Sequence, residues 1–152
     1  MVKNIGIVSD THGLLRPFVL EAFKDCDLII HAGDIGSKDI INELNKITKV
    51  VSVKGNIDKE PLSKELCKSE IIEIDGISIY VIHDISQIEI EPLAAGINLV
   101  IFGHSHEKVK LERNGIMYIN PGSAGPKRFN LPTSVAVLSI EDGKINNEFI
   151  SL

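Results

Sequence analysis

The sequence predicts an α/β fold in which two β-sheets pack together with helices outside them. Strand and helix patterns alternate from Ile5 to Val53, which signals parallel strands joined by right-handed crossovers. The later part instead shows strand pairs joined by Asp-Gly or Asn-Gly, the signature of tight hairpins. Hydrophobic residues make up 43% of the 152 and aromatics only 5%, so the core rests on Ile, Val and Leu, which suit buried strands.

Ile5 to Val8 is an apolar run ending in Ser9-Asp10-Thr11-His12-Gly13. Such a run reads as a buried strand that delivers polar residues at its tip. A helix is expected over 14–24, with Pro17 near its start and Phe18, Ala22 and Phe23 on one face. Asp27 to His31 is a second strand, running into Ala32-Gly33-Asp34. Ser37 then caps a helix reaching about Lys46, with Ile40, Ile41 and Leu44 inward. Val50 to Val53 is a third strand, ending in Gly55-Asn56. Asp75-Gly76, Asn114-Gly115 and Asp142-Gly143 mark three hairpins, and the strand before His83 closes the first. A short helix is expected over 87–95 with Gly96 as its cap, before a buried strand Leu99 to Phe102. Residues 120–132 form a loop rich in Gly and Pro, and with no linker or repeat, residues 1–152 are expected to form one domain.

The formal net charge of −5 disfavours non-specific nucleic-acid binding and docking on anionic membranes. A small phosphorylated substrate remains compatible, because bound metal ions invert local charge. Cys26 and Cys67 match no zinc-site spacing and read as reduced thiols. With no signal peptide or membrane span in the sequence, a cytoplasmic location is expected.

One constellation carries the chemistry. Five apolar strands end in polar clusters: Asp10-Thr11-His12, Gly33-Asp34, Gly55-Asn56, His83 and His104-Ser105-His106. Ligand sites collect at C-terminal strand ends, so these tips can converge. Two carboxylates, an amide oxygen and four imidazoles, with no thiolate, suit divalent Mn²⁺, Fe, Zn²⁺ or Ni²⁺. If the tips stay extended, residues i and i+2 of Asp10-x-His12 and His104-x-His106 point to one side. Seven ligands exceed one ion and suit two ions sharing a carboxylate.

Together, in this order, these motifs resemble the calcineurin-like metallophosphoesterases. The short length and Asn120-Pro121-Gly122-Ser123 resemble the small bacterial and archaeal phosphodiesterases of that superfamily. The resemblance implies an α/β/β/α sandwich. It implies one metal on Asp10, His12, Asp34 and His106, and another on Asp34, Asn56, His83 and His104, with Asp34 bridging. Mn²⁺ is the ion expected first. The implied reaction is hydrolysis of a small phosphodiester by metal-activated hydroxide, with Asp34, Asn56 and His104 carrying catalysis. Asn56 and Arg128 are the expected substrate contacts, and a homo-oligomer is compatible with the resemblance. The alternatives are a phosphomonoesterase or nucleotide phosphatase on the same site, and a non-catalytic interaction scaffold like the retromer subunit that this family resembles.

Two positions depart from larger relatives. Ile57 stands where they carry a His that serves as acid for the leaving group, so good leaving groups and diesters should be preferred. Asp84 follows His83 where many have Gly, and is expected to face solvent rather than the site. His31 is expected to be a packed, hydrogen-bonded residue near the site, and Asp58 to orient the loop carrying Asn56. Lys127 and Arg128 are cations of the 120–132 loop, placed to meet substrate phosphate, a second subunit or solvent.

Overall fold

The computed structural model describes residues 3–128 and 130–151. Three parallel strands open the chain: the largely buried β1 (Lys3–Val8) and β2 (Leu28–His31), and the half-buried edge strand β3 (Val50–Ser52). Between them run α1 (Pro17–Phe23) and α2 (Lys38–Asn45). Pro17 stands in the first turn of α1, where its missing N–H costs nothing. Ser37 caps α2 by accepting from the Asp39 N–H at 3.2 Å. On α1 the buried pair is Val19 and Phe23, with Phe18 and Ala22 half-buried at the margin of that face.

The chain then builds β4 (Ser69–Ile74), β5 (Ile77–Ile82), β6 (Leu99–Ile101), β7 (Lys108–Arg113), β8 (Ile116–Pro121), β9 (Ser134–Glu141) and β10 (Lys144–Ser151). The β4–β5, β7–β8 and β9–β10 hairpins turn on Asp75-Gly76, Asn114-Gly115 and Asp142-Gly143. Both turn residues have positive φ in each case, for example 49° and 82° in the first, as a two-residue turn matched to strand twist requires.

Two mixed five-stranded sheets result, with strand orders β10-β9-β1-β2-β3 and β4-β5-β6-β8-β7. Alternation decides which side chains meet between them. Ile5, Ile7, Ile30, Ala136 and Leu138 of the first sheet pack on Ile79, Val81, Leu99, Ile101 and Ile119 of the second. Val19, Phe23, Ile40 and Leu44 from the helices cover the other face of the first sheet, against Val8 and Ile29. This is the expected α/β sandwich, with its helical layer concentrated on one side.

The helix expected over 87–95 is absent. Instead, a 3₁₀ turn at Ile85–Gln87 and single turns near 91–96 cover the outer face of the second sheet. Pro92 lacks an N–H and blocks helix propagation through the segment. Ile85, Ile88 and Ile90 pack there against Tyr80, Val100 and Phe102. Gly96 still closes its turn with φ of 73°. Among the described residues no helix is long and apolar enough to cross a membrane.

Candidate metal centre

All five polar tips lie at one end of the sandwich, and each sheet ties its own tips together. The Asp10 and His12 N–H groups donate to the carbonyls of Gly33 and Asp34 at 3.0 and 2.9 Å. In the second sheet the Gly103 N–H donates to the His83 carbonyl at 2.9 Å. Bonds across the seam then join the sheets. The His104 N–H donates to Asp10 Oδ2 at 3.2 Å, and the Ala124 N–H donates to the Ser9 carbonyl at 3.0 Å.

The tips are not extended, so strand alternation does not aim their side chains. Asp10, His12, Asp34, His104 and His106 have φ of 57°, 47°, 56°, 73° and 65°. Among the described residues, the other non-glycine positions with positive φ are the leading residues of the three hairpin turns. Left-handed backbone is costly for a side-chain-bearing residue and persists where the surroundings enforce it. Here it turns the chain at three of the five tips, those of Asp10-His12, Asp34 and His104-His106.

Two groups of ligand atoms form. Asp10, His12 and His106 make one; Asp34, His83 and His104 make the other; within each, the ligand atoms lie within 4.8 Å of one another. The groups are contiguous. Asp34 Oδ2 lies 3.6 Å from His12 Nε2 and 3.2 Å from His83 Nε2, so it stands between them. Asp10 Oδ1 lies 3.4 Å from His106 Nε2 and 3.8 Å from both His12 and His83 Nε2. Each group takes residues from both sheets.

The donor chemistry fits divalent cations. Asp10 Oδ1, His12 Nε2, His83 Nε2 and His106 Nδ1 are buried without a hydrogen-bond partner. The remaining orphaned atoms among the described residues belong to Asn147. Buried polar atoms are rarely left unsatisfied, and clustering of unpaired lone pairs is what a cation site requires.

Surrounding groups fix this orientation. His83 Nδ1 donates to the Ala32 carbonyl at 2.8 Å, which leaves the Nε2 lone pair facing Asp34 and Asp10. Asp34 Oδ1 accepts from the Ile57 N–H at 3.0 Å, which frees Oδ2. Asp10 Oδ2 accepts from the Ser9 hydroxyl at 2.6 Å, which frees Oδ1. Asp58 links the loops as expected: Oδ1 accepts from the Ile35 and Gly36 N–H groups, Oδ2 from that of Gly55. Gly55 packs against Asp34 so closely that a Cβ there would collide with the Asp34 carboxylate and N–H. Asn120 and Ser123 complete the frame. The Asn120 amide donates to the Gly103 carbonyl and to Ser105 Oγ, and the Ser123 hydroxyl donates to the Asp10 carbonyl.

Electrostatics separates the groups. Burial pushes Asp34 up, but the His83 contact, the Ile57 N–H and the neighbouring imidazoles outweigh it and hold the carboxyl at about 2. Burial pushes Asp10 up, opposed by the Ser9 hydroxyl and the His83 and His106 rings. Burial lowers His83, yet the Asp34 and Asp10 carboxylates raise it above the ordinary value; His106 is lowered, by burial first.

His31 is packed, as expected, and outside both groups. The Gly33 N–H donates to its Nδ1, so Nε2 carries the hydrogen and donates to Thr11 Oγ1, which donates to the Ile35 carbonyl. Burial holds its pKa down at about 3 against an ordinary 6.5. Below pH 6.5 the unfolded chain takes up this proton and the folded chain does not, so stability falls with pH between 6.5 and 3. At pH 5 this one group costs about 2 kcal/mol. Urea unfolding of chelator-treated protein should lose less stability from pH 7 to pH 5 in His31→Gln than in the native chain. An equal loss would refute the assignment.

Asp84 corrects one expectation. It turns inward: Oδ1 accepts from the Ser86 N–H and hydroxyl at 3.0 and 2.7 Å, and Oδ2 lies 3.8 Å from His104 Nε2. The reason is local, because the 3₁₀ turn at Ile85–Gln87 needs a cap and Asp84 provides it. Asn56 is exposed and lines a cleft of about 330 Å³ that also includes His83, Asp84, Lys54 and Lys68. Arg128 and Lys127 line a smaller cleft of about 120 Å³ with His12 and His106. Ser9, Thr11, Asn120 and Ser123 stand in motifs visible in the sequence, but their contacts are not legible there.

Comparison with known proteins agrees with this geometry. Residues 4–143 match the calcineurin-like phosphoesterase superfamily domain. A protein of Methanothermobacter thermautotrophicus named a probable metallophosphoesterase is 35% identical, covering 96% of this chain and 91% of its own. A protein of Methanocaldococcus jannaschii named a phosphodiesterase is 31% identical over 91% of this chain and 93% of its own. Among solved structures, an archaeal phosphodiesterase superposes with a TM-score of 0.84 at 28% identity, covering 98% of this chain and 99% of its own. A zinc complex of Vps29 from Entamoeba histolytica shares the fold, with a TM-score of 0.77 at 21% identity over 97% of this chain and 98% of its own. With its ordered strand-tip motifs and paired ligand groups, this chain belongs to the calcineurin-like phosphoesterase superfamily, a family of metallophosphoesterases.

Proposed function

We propose that the chain, working as one domain, hydrolyses a small phosphodiester at a two-metal centre. Asp10, His12, Asp34 and His106 would hold one ion, and Asp34, Asn56, His83 and His104 the other. The observation that carries this reading is that three buried, unpartnered atoms, Asp10 Oδ1, His12 Nε2 and His83 Nε2, lie together, with both nitrogens 3.8 Å from the oxygen and His106 Nε2 at 3.4 Å from it. The mixed oxygen and imidazole donors suit a divalent ion of the Mn²⁺, Fe, Zn²⁺ or Ni²⁺ set, with Mn²⁺ the one to load first.

Bound divalent ions supply positive charge that lowers the pKa of a water and neutralises charge growing on phosphate oxygens. The chain's part is to hold the geometry. Asp34 presents Oδ2 to both groups because Ile57 and Gly55 fix the rest of its side chain. His83 presents a lone pair because Ala32 holds its hydrogen. His83 must also lose the extra proton that the carboxylates favour, so loading competes with protons and weakens as pH falls. Arg128, beside His12 and His106, is placed to meet a phosphate oxygen.

Ile57 is 39% exposed at the site and has no proton to give a leaving group. Leaving groups that depart as stable anions should therefore react best, and diesters should exceed monoesters. The test is turnover of bis(4-nitrophenyl) phosphate against 4-nitrophenyl phosphate after chelation and reloading with Mn²⁺, with Asp34→Ala beside it. Metal-dependent diester cleavage that Asp34→Ala abolishes is the expected result. Comparable rates on both esters would instead favour a phosphomonoesterase, and metal binding without turnover a scaffold.

A further inference from the structure

Resting on the phosphoesterase reading, we infer that the cleft beside His83 is an anion pocket that binds a second phosphate on one arm of the substrate. The cleft holds about 330 Å³, more than a single phosphate occupies, and it opens directly from the metal centre through Asn56, His83 and Asp84. Its lining also includes Lys54, Lys68, Ser63 and Gln87.

Its hydrogen-bonding capacity is one-sided. Of its two carboxylates, Asp58 already accepts from three backbone N–H groups with both oxygens, and Asp84 Oδ1 is filled by Ser86. The available groups are therefore mainly donors: two ammonium groups, a hydroxyl and two side-chain amides. An acceptor-rich anion suits such a wall.

Lys54 is the sharper of the two cations. It sits at the end of β3, half-buried, with its backbone N–H donating to the Cys67 carbonyl at 2.9 Å. Among the described residues it makes no ion pair. With no carboxylate paired to it, the Lys54 side chain is the cation of this lining with least competition for an incoming phosphate. Lys68 does have a partner, Glu89 at 3.4 Å, but that carboxylate is 80% exposed and the pair is weak enough for phosphate to displace.

The lining contains no Phe, Tyr or Trp. A base-stacking platform, on which sequence-tolerant single-strand binders depend, is missing from this wall. Recognition would therefore act on the arm's charge rather than on a base.

The test compares thymidine 5′-(4-nitrophenyl phosphate) with the same diester phosphorylated at its 3′-oxygen. The native protein should show at least about fivefold higher kcat/KM on the phosphorylated diester, and this ratio should collapse toward one in Lys54→Gln and in the Lys54→Gln, Lys68→Gln double variant. Equal kcat/KM in the native protein, or a preference that survives both variants, overturns the proposal. Binding provides a readout independent of turnover: thymidine 3′,5′-bisphosphate should bind more tightly than thymidine 5′-monophosphate, through Lys54. If neither diester is cleaved, the phosphoesterase reading fails while this affinity ratio still decides the pocket. Inorganic phosphate alone is the third probe. If it binds with the same Lys54 dependence while the second phosphate adds nothing to kcat/KM, the cleft takes free phosphate and the substrate-arm assignment is wrong.

Discussion

Asp34→Asn is expected to lower metal-dependent turnover by on the order of 10²- to 10³-fold, the scale of losing a central electrostatic group in an active site. The substitution keeps the shape and keeps an oxygen to accept from the Ile57 N–H. It removes the negative charge at Oδ2, the atom 3.6 Å from His12 and 3.2 Å from His83. An amide hydrogen in that place can donate to the His83 lone pair, so the chelated variant should unfold close to the native midpoint. Metal content should fall below that of the native protein. Those three measurements separate a lost ligand from a lost fold. Near-native activity with full metal content would end the idea of a shared carboxylate.

Gly55→Ala should damage both stability and metal binding, although the glycine contributes no side chain. An added Cβ would collide with the Asp34 carboxylate and its backbone nitrogen. Backbone cannot swing aside as a flexible side-chain tip can. Overpacking of this kind costs about 1–3 kcal/mol, which lowers the melting temperature by roughly 2–12 °C for a chain of this size. Displacement of Asp34 should weaken metal affinity about 10- to 100-fold, as when a group supporting a ligand is removed. Titration with Mn²⁺ and thermal unfolding of chelated protein give the two values. Native-like affinity in the variant would mean that Asp34 is held by the Ile57 N–H alone.

Much of this was legible in the sequence, and the legible parts share a physical cause. The hairpins at Asp75-Gly76, Asn114-Gly115 and Asp142-Gly143 are written locally, because few residues tolerate positive φ. The buried strands were visible as aliphatic runs, and the candidate ligands stood at their ends. What stayed hidden depends on distant residues. That β9 returns to pair with β1, or that β8 lies beside β6, is settled by packing between sheets. Asp10 and His106 have left-handed backbone, and the Asp10 N–H is tied to the Gly33 carbonyl of another loop, so alternation along an extended tip does not describe how these side chains are aimed. Asp84, expected to face solvent, is turned inward because the 3₁₀ turn at Ile85–Gln87, which has no local signature, uses it as a cap. The chain from Gly33 through His31 and Thr11 to Ile35 has no local signature.

Each ligand group draws on both sheets, and an ion bound there would make the proposed reaction centre a clasp as well. Asp10 and His12 come from one layer and His106 from the other; Asp34 comes from one and His83 and His104 from the other. A cation held by such a group would rivet the two layers at the end where the polar tips meet. Ion binding at 1,000 times the dissociation constant adds about 4 kcal/mol to the folded state, and here that gain would act across the seam. Sliding of one sheet over the other and loss of the ion thus become the same event. The metal supply of the cell would then set how tightly the two halves of this molecule hold together.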